Sequence, residues 1–141
     1  SVFLAACASL VLGLWKLVKF VASKIKEHRM SPIERARLEL ERLLQKDLPS
    51  LGKFKDFYVE LTLVVRRYVQ RKYGVRAPNM TTEEFLRETK IPKSESLEKF
   101  LQSADMVKFA GISATREMAD TAVGATKDYI ETDNARVEET K

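Results

Sequence analysis

The side chains of this chain most able to do chemistry are charged ones set beside apolar helix faces. In Asp105-Met106-Val107-Lys108-Phe109-Ala110 the aspartate and the lysine are three apart. On a helix they share a face, next to the apolar side made by Leu101, Ala104 and Val107. Charges so near a core need partners, because an unpaired buried charge is costly. Candidates lie on a long upstream helix. The expectation is a structural ion-pair network of Glu60, Arg66, Arg67, Asp105 and Lys108, in which Asp105 pairs with an arginine of that helix and Lys108 or Arg67 meets Glu60. Such a network can fix helix register or bind a partner, and both roles stay open.

A second cluster, Arg66, Arg67, Arg71, Lys72 and Arg76, interleaves with Tyr68 and Tyr73. That mixture can form a partner or anion surface, or hold nucleic acid by phosphate contact and base stacking. Two plainer readings compete. Tyrosines at helical spacing make core residues with hydroxyls at the rim, as Tyr58, Tyr68 and Tyr73 would. Cations in the last turns of a helix favour its carbonyl end.

The usual catalytic sets are missing. His28, in the basic collar, is the only histidine and Cys7 the only cysteine, so a Cys/His zinc site is impossible, and a Ser-His-Asp or Cys-His arrangement has no plausible partner near that histidine. The five glycines are isolated and form no phosphate loop. Carboxylates are plentiful, but a catalytic pair needs a cleft that splits their pKa values. No catalytic, cofactor-binding or metal residue is expected, and the chain reads as non-enzymatic with no small-molecule substrate.

The elements that must carry these residues are helices. Ser31-Pro32-Ile33-Glu34 is a capping box with proline at the first helical position, and Leu48-Pro49-Ser50-Leu51-Gly52 ends that helix. The next runs from Lys53 to Tyr73. Its apolar positions, Phe54, Phe57, Tyr58, Leu61, Val64, Val65, Tyr68 and Val69, make one broad stripe, and Gly74 stops it. A connector with Pro78 leads to Thr81-Thr82-Glu83-Glu84, a second capping box, and Ile91-Pro92 ends that short helix. Ser94 or Ser96 caps a helix through Leu97, Phe100, Leu101, Ala104 and Val107, closed by Gly111. Ser113 or Thr115 begins the last, through Met118, Ala122, Tyr129 and Ile130. No strand pattern occurs. The fold class is all-α, about five helices in a small bundle over residues 31–133, with a frayed polar tail at 134–141.

Ahead of the bundle, Val2 to Trp15 is an unbroken apolar or small stretch, followed by Lys16, Lys19, Lys24, Lys26 and Arg29. That is the signature of a transmembrane helix closed by a basic membrane-interface collar on the cytoplasmic side. Fourteen clean residues are too few for a crossing of about 20. Leu17, Val18, Phe20, Val21 and Ala22 extend the run, and Ser1 in place of an initiator methionine predicts a span that continues upstream. Leu4-Ala5-Ala6-Cys7 spells a lipoprotein-type box, but most of the apolar stretch follows it, which argues against lipidation. Residues 1–30 thus form the span and collar, and the chain is expected to be single-pass in an inner membrane with its bundle in the cytoplasm.

The net charge of +5 is mostly that collar, where five cations face Glu27 alone; anionic membrane lipids suffice to explain it. The bundle is nearly neutral but polarised. Residues 53–76 carry seven cations and two anions, and residues 77–141 nine cations and thirteen anions. Segments of opposite sign either pack together or present two faces.

Several strings occur together: Phe57-Tyr58-x-Glu60-Leu61-Thr62, Val65-Arg66-Arg67-Tyr68-Val69, Tyr73-Gly74-Val75-x-Ala77, Thr81-Thr82-Glu83-Glu84-Phe85-Leu86 and Asp105-x-Val107-Lys108-Phe109-Ala110. In combination they resemble the C-terminal transmembrane-plus-cytoplasmic region of uncharacterised bacterial membrane proteins related to BatD-type aerotolerance proteins. Such proteins are associated with MoxR-type AAA+ ATPases and von Willebrand A-domain proteins. The resemblance covers residues 33–133 and the preceding membrane helix, and brings no catalytic residues with it. It implies a membrane-anchored adaptor that docks an AAA+ ATPase or a von Willebrand A-domain protein. The alternative is a nucleic-acid- or anionic-lipid-binding helical domain using the basic cluster at 66–76.

Overall fold

A computed structural model describes residues 1–88 and 95–139, without the side chains of Glu27, His28 and Glu88. Among these residues every regular element is helical. Six α-helices follow in order: α1 (Val2–Arg29), α2 (Pro32–Lys46), α3 (Phe54–Tyr73), α4 (Thr82–Glu88), α5 (Glu95–Phe109) and α6 (Arg116–Glu139). Short 3-10 turns at Leu48–Leu51 and Ala77–Asn79 link α2 to α3 and α3 to α4. The chain divides into two compact units, Ser1–Ser31 and Pro32–Lys141.

The first unit is α1 alone. It has 28 residues, about 42 Å at the rise of an α-helix. Val2–Lys26 is long and apolar enough to cross a membrane, and none of its most apolar stretch is buried. Phe3, Leu10, Trp15 and Phe20 are each more than half exposed. In water such a surface would be a heavy penalty; in hydrocarbon it is none, since a helix satisfies its own backbone. Lys16, Lys19, Lys24, Lys26 and Arg29 all lie exposed on this helix. The Lys19 ammonium stands 3.9 Å from the Trp15 ring centre and that of Lys24 5.6 Å from Phe20, so the collar begins where aromatic rings meet cations. Cys7 is exposed on the same helix.

In the second unit α3 is the central helix, packed against α2, α5, α6 and the Ala77–Asn79 turn. The sequence pattern predicts burial on one side only. Phe57, Leu61, Val64, Val65 and Tyr68 are buried as that pattern requires, but so are Thr62 and Arg66 on another side, because α5 and the turn after α3 cover it. Only a narrow strip that includes Arg67 and Gln70 stays open. The core joins Leu40 and Leu43 of α2, Phe85 of α4, Leu97 and Leu101 of α5, and Ala119, Tyr129 and Ile130 of α6 to this helix.

The sequence's punctuation is realised locally. Pro32 is the first residue of α2. Gly74 adopts φ 71°, which a glycine reaches without a Cβ penalty, and its N–H donates to the Gln70 carbonyl at 2.9 Å. The capping box at α4 closes reciprocally. The Glu84 N–H donates to Thr81 Oγ1 at 3.2 Å, and the Thr81 N–H to Glu84 Oε2 at 3.0 Å. Thr115, not Ser113, caps α6, accepting from the Met118 N–H at 3.2 Å. α5 has already begun at Glu95, so Ser96 sits inside its first turn; Ile91-Pro92 and Ser94 lie outside the described residues.

One boundary differs. The polar residues after 133 continue α6 to Glu139 instead of fraying. Arg136 reaches back three residues to Asp133, and Asn134 pairs with Glu138 one turn on, so the last turns carry their own side-chain support.

Candidate functional site

Three features of the helical unit could bind something, and geometry separates them. The most spacious is a groove of about 530 Å3 between α5 and α6, floored by Phe100, Met118, Ala122 and Ala125 and rimmed by Ser96, Lys99 and Asp128. Its cation is already spoken for in solvent, Lys99 Nζ lying 2.8 Å from Glu95. A second groove, about 290 Å3, runs between α2 and α6 over Leu40, Leu44 and Ile130. Arg37 and Glu131 bridge it with two hydrogen bonds of 2.7 and 2.6 Å. Neither places a desolvated charge. The third does.

That third feature is a cleft of about 370 Å3 where α3, the 3-10 turn before α4 and the end of α5 meet. Arg66, Asp105 and Lys108 line it with Val59, Leu63, Pro78 and Phe109. Arg66 is only 6% exposed. Its guanidinium donates to the Ala77 carbonyl at 3.3 Å, to the Met80 carbonyl, and to Thr82 Oγ1 at 3.2 Å. It lies 5.6 Å from the ring centre of Phe85. Every one of those acceptors is neutral, and the Nε–H is buried with no acceptor among the described residues. Burial lowers the Arg66 pKa, opposed by attraction to Asp105. Lys108, its side chain 13% exposed, stands 3.7 Å from Asp105. Its pKa too is lowered, by burial first and then by repulsion from Arg66, with Asp105 opposing.

The expected ion-pair network is therefore corrected in its wiring. Asp105 attracts Arg66 but forms no contact pair with it, because the guanidinium is held by the Ala77–Thr82 connector. Glu60 meets neither Lys108 nor Arg67. Its carboxylate takes Lys46 at 2.9 Å, since the last turn of α2 lies alongside the first half of α3. Arg67 is two turns beyond Glu60 on the open strip, out of its reach. Of the five residues, the structure joins Arg66, Asp105 and Lys108 in one cleft and leaves Glu60 and Arg67 outside it.

The basic cluster at 66–76 is also dispersed. Arg71 pairs with Glu39 of α2 at 2.7 Å, Lys72 turns toward α6, and Arg66 is buried. Arg67 and Arg76 remain exposed. No continuous anion surface results, which weighs against the nucleic-acid and lipid readings of this stretch.

Sequence reasoning missed Asp133. This aspartate of α6 is 4% exposed and accepts from Tyr68 Oη, Tyr73 Oη and Lys72 Nζ, each at 2.7 Å. Arg136 adds a contact at 3.4 Å. Burial raises the Asp133 carboxyl, but the hydrogen bonds from Lys72, Tyr73 and Tyr68 outweigh it and hold it below its ordinary value. Burial and the bond to Asp133 push the Tyr73 hydroxyl up to about 12, and Tyr68 further still. Tyr68 is thus a core residue whose hydroxyl is buried and not at a rim. The one available signal was the spacing of Tyr68, Lys72 and Tyr73, three polar tips on one side of a helix that needed an acceptor.

Among the described residues no group of three or more His, Cys, Asp or Glu side chains converges as a metal site would require. No family model matches the chain, and neither the curated proteins nor the solved structures contain a significantly similar one.

Proposed function

We propose that the chain is a membrane-anchored docking module, in which α1 crosses the bilayer, the collar of Lys16, Lys19, Lys24, Lys26 and Arg29 marks the cytoplasmic face, and the helical unit binds a protein partner. The carrying observation is α1 itself, a helix apolar enough to span a membrane with none of its most apolar stretch buried. Binding, and not catalysis, is the reading for the helical unit, because the desolvated charge cluster that opens onto a cleft is built from Arg66, Lys108 and Asp105, groups that hold an anion more readily than they activate a nucleophile. The sequence resemblance to BatD-related tails supports a MoxR-type AAA+ ATPase or a von Willebrand A-domain protein as the partner.

Membrane fractionation of the full chain tests the anchor. It should pellet with membranes and resist alkaline carbonate; release into the supernatant overturns the reading. Orientation follows from a Cys7→Ala, Gln102→Cys variant, whose thiol should react with an impermeant maleimide in inverted vesicles and not in right-side-out ones. Crosslinking in the native membrane, read by mass spectrometry, then tests the partner.

A further inference from the structure

Resting on that docking reading, we infer that the cleft between α3 and the end of α5 recognises a single carboxylate on an apolar segment of a partner protein, an acidic side chain flanked by aliphatic or aromatic ones.

Charge is the first argument. Among the described residues two desolvated cations, Arg66 and Lys108, line the cleft with one carboxylate, Asp105. The terminal Arg66 donors, Nη1 and Nη2, are met by neutral oxygens, which satisfy N–H groups but leave the positive charge standing. Asp105 compensates Lys108 only loosely, at 3.7 Å, against the 2.7 Å of a tight pair such as Lys72 and Asp133. The cleft is therefore short of one negative charge. A monoanion balances it. A dianionic phosphate monoester overshoots and meets Asp105 at close quarters, so a peptide carboxylate fits the site better than such a phosphate.

Shape and polarity are the second. The volume of about 370 Å3 suits a side chain or two rather than an extended strand. Val59, Leu63 and Pro78 make apolar walls. Phe109 lines the same cleft yet is 80% exposed, and Met106, one helical turn earlier on α5, is 50% exposed. A large aromatic left in water beside a desolvated cation is an unfinished contact. Apolar neighbours of the incoming carboxylate finish it, while Lys108 Nζ donates to the carboxylate itself.

The test uses the full chain in detergent micelles, observed by NMR. The probes are N-acetyl-Leu-Glu-Phe-amide, its glutamine counterpart and inorganic phosphate. The glutamate peptide should saturate and shift the Lys108 and Phe109 signals, and the glutamine peptide should bind about tenfold more weakly, the worth of a charge-assisted hydrogen bond. Lys108→Met should impose the same loss without lowering the melting temperature, and Lys108→Arg should restore binding. Equal binding of the two peptides, absence of any saturable shift, or tighter binding of phosphate than of the glutamate peptide each overturns the inference. The anchor reading fails separately, by release of the chain from membranes, whatever the peptides do.

Discussion

Helix α3 carries two buried polar clusters, and they differ in one respect. Around Asp133 the charges close. A carboxylate that is 4% exposed receives Tyr68, Tyr73 and Lys72, each at 2.7 Å, and it lines none of the three grooves described above. Around Arg66 they do not close. The guanidinium is bonded to neutral oxygens, Lys108 holds Asp105 at 3.7 Å, and a cleft runs in from solvent. A buried charge that is fully met makes the loss of any one partner costly and has little left to offer a ligand. One that is incompletely met costs stability and keeps its field for something else. The difference sets a structural pin apart from the cleft proposed as a binding site, both on the same helix.

The sharpest way to break this contrast is Asp133→Ala. It strands Lys72, whose side chain is 11% exposed, and two tyrosine hydroxyls. Removing one partner of a buried pair costs about 3–5 kcal/mol, enough to lower the melting temperature by many degrees in a unit of this size. The same site sets an acid limit. The Asp133 carboxyl is held below its ordinary value of 3.8 in the folded chain, so the unfolded state binds the proton more readily. Its contribution is fully present above the unfolded pKa and is lost as pH falls through the lower folded one. Denaturant midpoints measured from pH 6 down to pH 2 should show this loss in the parent and a flatter profile in Asp133→Asn. Identical profiles would remove Asp133 from the role of pin.

Why the pin was illegible and the helices were not is a matter of range. Thr81 and Glu84 are three residues apart, and their capping box is a local code that closes as written. Gly74 stops α3 for an equally local reason. The apolar stretch and collar of α1 also read directly. Tyr68 and Asp133, by contrast, are 65 residues apart, and their meeting depends on how α6 lies on α3, which no spacing reveals. The sequence points Glu60 to the wrong cation for the same reason: Lys46 becomes its neighbour only once α2 folds back along α3. The polar composition after 133 predicts fraying, but it does not display the turn-by-turn pairs of Arg136 with Asp133 and Asn134 with Glu138. The cleft residues Arg66, Asp105 and Lys108 were picked out by type, being charges beside apolar stripes, but the sequence could not show that they would be left unbalanced.

Arg66→Met probes the open cluster from its structural side, with a smaller effect expected. The substitution removes the bonds to Ala77, Met80 and Thr82 that clamp the connector onto α3, and unmakes the contact with Phe85. It also removes a desolvated charge whose pKa burial lowers. The two changes oppose each other, leaving a net loss of about 1–2 kcal/mol, measurable by urea unfolding at pH 7. A loss as large as that of Asp133→Ala would mean that Arg66 is as fully compensated as Asp133, and the contrast would collapse.

The smallest effect, and the most telling, belongs to Lys108→Met. Lys108 lies at the mouth of the cleft with its side chain 13% exposed and only a loose partner. Burial and repulsion from Arg66 both lower its pKa, so at pH 7 the folded chain carries the ammonium at a cost. For such a base the unfolded state holds its proton more firmly, and stability rises as pH climbs from the folded pKa toward the unfolded one. Methionine keeps the stem's packing along the cleft and discards the charge. Stability at pH 7 should then stay within about 0.5 kcal/mol of the parent or improve, and the alkaline rise should flatten. A charged residue that can be deleted from a buried position without loss is not there to hold the fold. If the variant instead unfolds as readily as Asp133→Ala, Lys108 is a second pin, and the cleft has no charge to spare for a ligand.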